Sequence, residues 1–319
     1  MKNVTSPVLY IVVPCYNEQE VLHETAKRLT AKLESLMAQR KISGDSRMLF
    51  VNDGSKDATW SIIEELCQEN SYVCGLKLSR NKGHQNALLA GLMTAKELCD
   101  CAISMDADLQ DDIEAVDGFL EKFQEGCDVV YGVRSKRDTD TFFKRSTARG
   151  FYKFMKALGV DIVEDHADYR LMSRRALESL SQFDEVNLFL RGIVPLIGYK
   201  SGIVTYERHE RFAGESKYPL KKMIAFAFDG ITSFSVKPIR LIATIGFVIF
   251  FVSILVLLYS LIVWLMGHTV PGWTTLAASI WLIGGIQLLC LGVIGEYIGK
   301  IYGEVKHRPR YIIETFLKQ

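Results

Sequence analysis

Two stretches without a single Asp, Glu, Lys or Arg, residues 241–266 and 270–295, set the first limit on how this 319-residue chain can fold. A helix of about 20 apolar residues is long enough to cross the hydrocarbon core of a bilayer. One such run is compatible with a buried core helix. Two in tandem, joined by the turn-like Gly267-His268-Thr269-Val270-Pro271-Gly272, predict a transmembrane hairpin. The connector carries no Lys or Arg. Lys217, Lys221, Lys222, Lys237 and Arg240 precede the first run, and Lys300, Lys306, Arg308, Arg310 and Lys318 follow the second. This bias predicts a multi-pass protein of the cytoplasmic membrane with both termini in the cytoplasm. Met1-Lys2-Asn3-Val4-Thr5 is no signal-peptide core, so the large N-terminal part is expected inside as well. Seven cysteines, none in a Cys-x-x-Cys pair, read as small buried residues in a reducing compartment. A net charge of +1 gives no field for nucleic acid.

Ahead of the hairpin, short apolar runs alternate with helical stretches. Val8-Leu9-Tyr10-Ile11-Val12-Val13 has the continuous apolar character of a strand covered on both faces. Further strands are expected at 47–51 and 73–78, before Asp106, and at 128–132, with helices at 18–40, 57–70 and 86–97. Such alternation predicts an α/β fold with a mostly parallel sheet and flanking helices. Ligands of these sheets bind at the carboxyl ends of the strands. That edge would carry Pro14 to Glu18, Asp53-Gly54-Ser55, Arg80-Asn81-Lys82-Gly83 and Asp106 to Gln110. No Gly-x-Gly-x-x-Gly or Walker loop appears, which argues against a dinucleotide or ATP site.

Ser104-Met105-Asp106-Ala107-Asp108-Leu109-Gln110-Asp111-Asp112 is the most chemical run in the chain. Asp106 and Asp108 sit two apart directly after an apolar strand run, and on a strand such positions share a face, so both carboxylates can converge at the strand's end. Two close carboxylates call for positive charge, and a hard divalent cation with oxygen ligands supplies it. Gln110 adds a neutral oxygen. Spacing alone leaves an equal alternative, an acidic turn capping the next helix through Asp111 and Asp112. Asp53 likewise reads either as a ligand for a base or ribose or as a turn residue of Asn-Asp-Gly-Ser.

Val13-Pro14-Cys15-Tyr16-Asn17-Glu18, Val51-Asn52-Asp53-Gly54-Ser55 and Asp106-Ala107-Asp108 together resemble, in order and spacing, three motifs of family 2 glycosyltransferases. The likeness is closest to polyprenyl-phosphate glycosyltransferases of the dolichol-phosphate-mannose-synthase and bactoprenol-glucosyltransferase type. It extends through Asp168-Tyr169-Arg170-Leu171-Met172-Ser173-Arg174-Arg175, Arg211-Phe212-Ala213-Gly214-Glu215-Ser216-Lys217-Tyr218 and the apolar hairpin. Cys15 replaces the usual Ala. The Gln-x-x-Arg-Trp string of processive members is absent, which favours transfer of a single sugar.

The resemblance implies a GT-A-type domain over residues 1–217, amphipathic interface helices over 218–238, two transmembrane helices over 239–299 and a basic cytoplasmic tail over 300–319. It implies a membrane hexosyltransferase that moves one sugar from a nucleotide sugar, UDP-glucose favoured, to polyprenyl phosphate with inversion. Pro14, Tyr16, Asn17, Glu18, Asp53, Lys82 and Asp106 would hold the nucleotide. Asp106, Asp108 and Gln110 would hold Mg²⁺ or Mn²⁺. Asp168, Arg170 and Arg134 would act in catalysis, with Asp168 orienting the acceptor or taking its proton. Arg174, Arg208, Arg211, Ser216 and Lys217 would meet the acceptor phosphate at the membrane interface. Plainer roles stand beside these: Arg134 as a solvated loop cation, Asp168 as a helix cap with surface arginines, and the basic residues as anchors. Rival functions are transfer to another lipid or polymer, or a non-catalytic nucleotide-sugar-binding scaffold. Gly284, Gly285, Gly292 and Gly295 permit close helix contact, either within the hairpin or in a homo-oligomer.

Overall fold

The computed structural model describes residues 6–134, 166–186, 188–207, 237–266 and 272–318. Arg208, Arg211, Ser216, Lys217 and the amphipathic stretch expected from 218 lie outside the described residues. In chain order the elements are β1 (Leu9–Cys15), α1 (Leu22–Ala38), β2 (Arg47–Asn52), α2 (Thr59–Glu69), β3 (Val73–Leu78) and α3 (His84–Lys96). Then come β4 (Cys101–Ser104), α4 (Ala115–Gln124), β5 (Val129–Arg134), β6 (His166–Ser173), α5 (Arg174–Leu180), α6 (Leu190–Leu196) and β7 (Ser201–Tyr206). Last are α7 (Lys237–Leu265), α8 (Trp273–Val305) and β8 (Ile313–Leu317). The strands and α1–α6 belong to one compact unit, α7 and α8 to another.

The eight strands form one sheet in the order β7-β5-β6-β4-β1-β2-β3-β8. β1 pairs in parallel with β2 and β4, and β2 with β3, as right-handed crossovers require. All seven residues of β1 are buried, which explains its unbroken apolar sequence. On one face Leu9, Ile11, Val13, Met48, Phe50 and Ile103 join α1 and α2 in the main core. On the other, α3 lies so close that a Cβ on Gly91 would sit 2.4 Å from Val12 Cγ1 and 2.7 Å from Val51 Cγ2. Only hydrogen fits there.

β4 and β5 are not neighbours in the sheet. β6 inserts between them, antiparallel to both β4 and β5, with Ser104 opposite Arg170. The segment after residue 300 is more than a basic tail: α8 runs to Val305, and β8 pairs antiparallel with β3 as an edge strand. Arg310 there donates to the Phe183 carbonyl (2.8 Å). Among the described residues one stretch, Ile283–Val305, is long and apolar enough to cross a membrane by length and composition. Both α7 and α8 nonetheless present large apolar side chains outward, with Phe247 67%, Leu255 66% and Leu288 72% exposed.

Candidate active site

The carboxyl ends of β1–β4 open into the loops carrying the motifs, and hydrogen bonds bolt those loops together. Asn17 takes a left-handed backbone (φ 55°). Its N–H donates to Ser55 Oγ (3.0 Å), and its Oδ1 accepts from the Lys56 N–H (2.9 Å). The Glu18 N–H donates to Thr59 Oγ1 (2.9 Å). Tyr16 beside them is 41% exposed. Buried Asp53 accepts from the Lys82 N–H at Oδ1 (2.7 Å) and from the Gly83 N–H at Oδ2 (2.9 Å). Burial pushes its carboxyl up more than those two amides pull it down. Asp53 therefore fixes the loop after β3. Gly54 beside it has φ +60°, and a Cβ there would meet the Asn81 nitrogen at 2.4 Å.

β4 ends at Ser104, so strand alternation is not what places Asp106 and Asp108. They occupy a turn, pinned by Thr25 Oγ1 donating to the Ala107 carbonyl (2.9 Å). Leu109, buried and left-handed (φ 57°), reverses the chain between Asp108 and Gln110. That is a costly conformation for a side chain of this size. The Gln110 N–H donates to Asp108 Oδ1 (3.2 Å). Partial desolvation, with the neighbouring Asp168 and Asp108 charges, raises the Asp106 carboxyl against the pull of His84. The helix-cap alternative fits neither acid: Asp112 Oδ1 accepts from the Glu114 N–H (2.9 Å), ahead of α4, whose N-cap Glu114 makes no side-chain cap bond. Asp111 is buried and accepts from the Tyr206 hydroxyl (2.7 Å), while its Oδ2 has no hydrogen-bond partner among the described residues. Burial, then the Asp106 charge, push it up to about 6. Arg134 at the end of β5 donates from Nε to the same hydroxyl (3.4 Å). Tyr206 packs edge-to-face on Tyr169 (5.1 Å between centroids), and Tyr169 on Phe119 (4.7 Å).

The antiparallel insertion of β6 brings Asp168 to this edge, where Ser104 Oγ donates to its carbonyl. Asp168 is a strand residue, not a helix cap. Arg170 Nη2 lies 2.5 Å from its Oδ1, and Arg191 from α6 reaches Oδ2 through Nη2 (3.1 Å) and Oδ1 through Nε (3.3 Å). His84 Nε2 lies 3.6 Å from Asp168 Oδ2 and 3.7 Å from Asp106 Oδ1. Partial desolvation raises the Asp168 carboxyl, but Arg191, the His84 hydrogen bond and Arg170 outweigh it and hold it well below the usual carboxylate range. Desolvation lowers the His84 imidazole, and the two carboxylates raise it by more. The insertion also removes Arg174 from the site. β6 runs back across the sheet, so Arg174 emerges at the amino edge, roughly 20 Å from Asp168 at about 3.3 Å per residue. There its Nε donates to the Cys99 carbonyl (2.7 Å). Arg170 reaches the site but is only 1% exposed, out of an acceptor's reach. His84, Arg191, Asp111 and Tyr206 were not foreseen as site residues. His84 directly follows the Arg80-Asn81-Lys82-Gly83 loop and is the one an extended motif reading would have found.

Residues 10–181 match the model of glycosyl transferase family 2, and residues 237–301 match that of the GtrB C-terminal hairpin. An uncharacterized glycosyltransferase of Bacillus subtilis, YkoT, is 56% identical over 98% of this chain and 93% of its own length. The bactoprenol glucosyl transferase of Shigella phage SfV is 41% identical, covering 96% of this chain and 97% of its own. The Escherichia coli prophage bactoprenol glucosyl transferase homolog is also 41% identical, over 97% and 99%.

Proposed function

The chain belongs to glycosyl transferase family 2, and from that premise we propose that it moves one hexose, glucose in the favoured case, from a uridine-diphosphate sugar to a polyprenyl phosphate at the cytoplasmic face of a membrane. One juxtaposition carries this reading. The acidic Asp106–Asp108 turn and the Asp168–Arg170–Arg191 cluster meet at one sheet edge, with His84 between them. The first suits a metal-bound diphosphate and the second a further anion. Relatives named as bactoprenol glucosyl transferases, and the match to the GtrB hairpin, support a lipid carrier as that anion.

Support for a membrane hairpin comes from the outward apolar surfaces of α7 and α8 and from β8. A strand that follows α8 and pairs with β3 returns the chain to the side of the sheet, which needs an even number of crossings. Two helices supply two. The basic flanks put that side in the cytoplasm.

We place the nucleotide against Pro14, Tyr16, Asp53 and the Lys82 loop, with Asn17 and Glu18 shaping the wall. Among the described residues no three His, Cys, Asp or Glu side chains converge as a complete metal cage. The set still fits Mg²⁺ or Mn²⁺, because such ions take one or two carboxylates and complete their shell with substrate phosphates and water. Asp106, Asp108 and Gln110 would hold the ion, and the carboxylate crowding around Asp106 is the charge excess it would relieve. When bound, it supplies neutralisation of the charge on the departing diphosphate. Arg134, braced by Tyr206, adds a guanidinium suited to phosphate.

In the reaction an oxygen of the acceptor phosphate bonds to the anomeric carbon while the bond from that carbon to the diphosphate breaks. The electron pair leaves on the diphosphate oxygen, and the configuration inverts. A phosphate dianion becomes a diester monoanion, and the nucleotide-sugar dianion leaves as a nucleoside diphosphate trianion. No proton moves. The test is to incubate membranes bearing the full-length chain with labelled UDP-glucose, UDP-N-acetylglucosamine, UDP-galactose and GDP-mannose, then treat the lipid fraction with mild acid. The expected product is an acid-labile lipid-linked sugar from UDP-glucose. Labile product from another donor only would reassign the sugar. Acid-stable glycolipid, or no lipid product from any donor, would overturn the reading.

A further inference from the structure

Asp168 meets Arg170, Arg191 and His84 at once, so three basic groups surround one carboxylate. The two guanidiniums are not equivalent. Arg170 is 1% exposed, and besides Asp168 it donates from Nη1 to the Leu190 carbonyl (3.4 Å). Arg191 is 35% exposed and grips both oxygens of Asp168. The Leu190 N–H beside it donates to Gln85 Oε1 (2.9 Å), tying α6 to the start of α3, where His84 lies. Arg191 is thus a cation held at the sheet edge next to the Asp106 turn, aimed by a carboxylate and open to solvent.

We infer that Arg191 receives the acceptor's phosphate, and that Asp168 is the positioning residue that aims Arg191, not the base that deprotonates the acceptor. This rests on the function proposed above. A phosphate monoester has its second pKa near 6, so at neutral pH the attacking oxygen carries no proton to remove. A carboxylate clasped by two guanidiniums would have to break those bonds to accept one. An arginine fork matches phosphate in two parallel hydrogen bonds, which a lysine ammonium cannot reproduce.

The experiment uses full-length protein in lipid nanodiscs with UDP-glucose and undecaprenyl phosphate, comparing wild type, Arg191→Ala and Arg191→Lys. Calorimetric UDP-glucose binding reports whether the donor half is intact. Arg191→Ala should raise the acceptor KM by about tenfold or more and leave the donor KM within about twofold, with Arg191→Lys in between. The acid limb of the wild-type pH profile should follow the phosphate's own ionisation near 6. An unchanged acceptor KM in both variants, or a loss confined to donor binding, overturns the inference. If Arg191→Ala binds no donor because it does not fold, Arg191→Lys decides by the same criterion. Wild type that makes no lipid-linked sugar refutes the proposed function instead, so the two failures are distinguishable.

Discussion

At the scale of single residues, each carboxylate of the candidate site is set by the partners that surround it. Asp53 uses both oxygens on the Lys82 and Gly83 amides. Asp168 uses both on arginines. Asp108 lies in the turn beside left-handed Leu109, and its Oδ1 accepts from the Gln110 N–H (3.2 Å). Asp108→Asn is nearly isosteric but removes the charge a divalent ion needs. Metal-dependent transfer should fall by about a hundredfold or more, while the protein keeps its thermal midpoint to within a few degrees. Full activity in the variant, assayed across Mg²⁺ and Mn²⁺ concentrations, would remove Asp108 from the proposed metal site. Of the expected site residues, those following parallel strands were legible because each sits at a strand's carboxyl end. Arg174 was misplaced because a string of residues does not state the direction in which its strand crosses the sheet.

At the scale of elements, α1 and α4 are latched beside the donor edge by buried Lys32. Its Nζ reaches Glu114 Oε2 (2.5 Å) and Asp117 Oδ2 (2.6 Å), and Lys41 closes on Asp117 from the other side. Partial burial raises the Asp117 carboxyl, but Lys32 and Lys41 lower it by more. A carboxyl depressed in the folded state binds fewer protons there than in the unfolded state. Its stabilisation is therefore present above the unfolded value near 4 and fades as pH falls below it. Asp117→Asn leaves Lys32 short of a charge partner and should cost about 1–3 kcal/mol at pH 7. The gap from wild type should narrow toward zero as pH drops below about 4. Chemical denaturation across pH checks this, and a gap independent of pH would show that the latch is not electrostatic.

At the scale of the molecule, β8 is the unexpected element. The last strand of the sheet follows the two long helices, pairs with β3, and receives a hydrogen bond from the Ser79 N–H at Ile312 (3.0 Å). Ser79 leads into the loop that Asp53 holds, so the segment from Ile312 braces that loop. Deleting residues 311–319 exposes the β3 edge and removes that brace. The truncated protein should melt several degrees lower and bind UDP-glucose several-fold more weakly; each kcal/mol lost is worth about 2–4 °C in a domain of this size. Unchanged melting and donor affinity would reduce β8 to an ornament of the edge.

Local sequence by itself determined the alternating α/β elements, the parallel β1–β4 core, the motifs at its carboxyl edge and the apolar character of the last third. Each of these is written in spacing a few residues long: unbroken apolar runs, helical stripes and turn residues. Only the tertiary structure decided that β6 inserts between β4 and β5, that β8 closes the far edge, and that Asp168 faces Asp106 across His84 while Arg174 leaves for the opposite side. Those outcomes depend on strand pairs more than thirty residues apart and on which buried charges find partners. Local periodicity carries neither kind of information, because pairing energy is settled between elements and not within them.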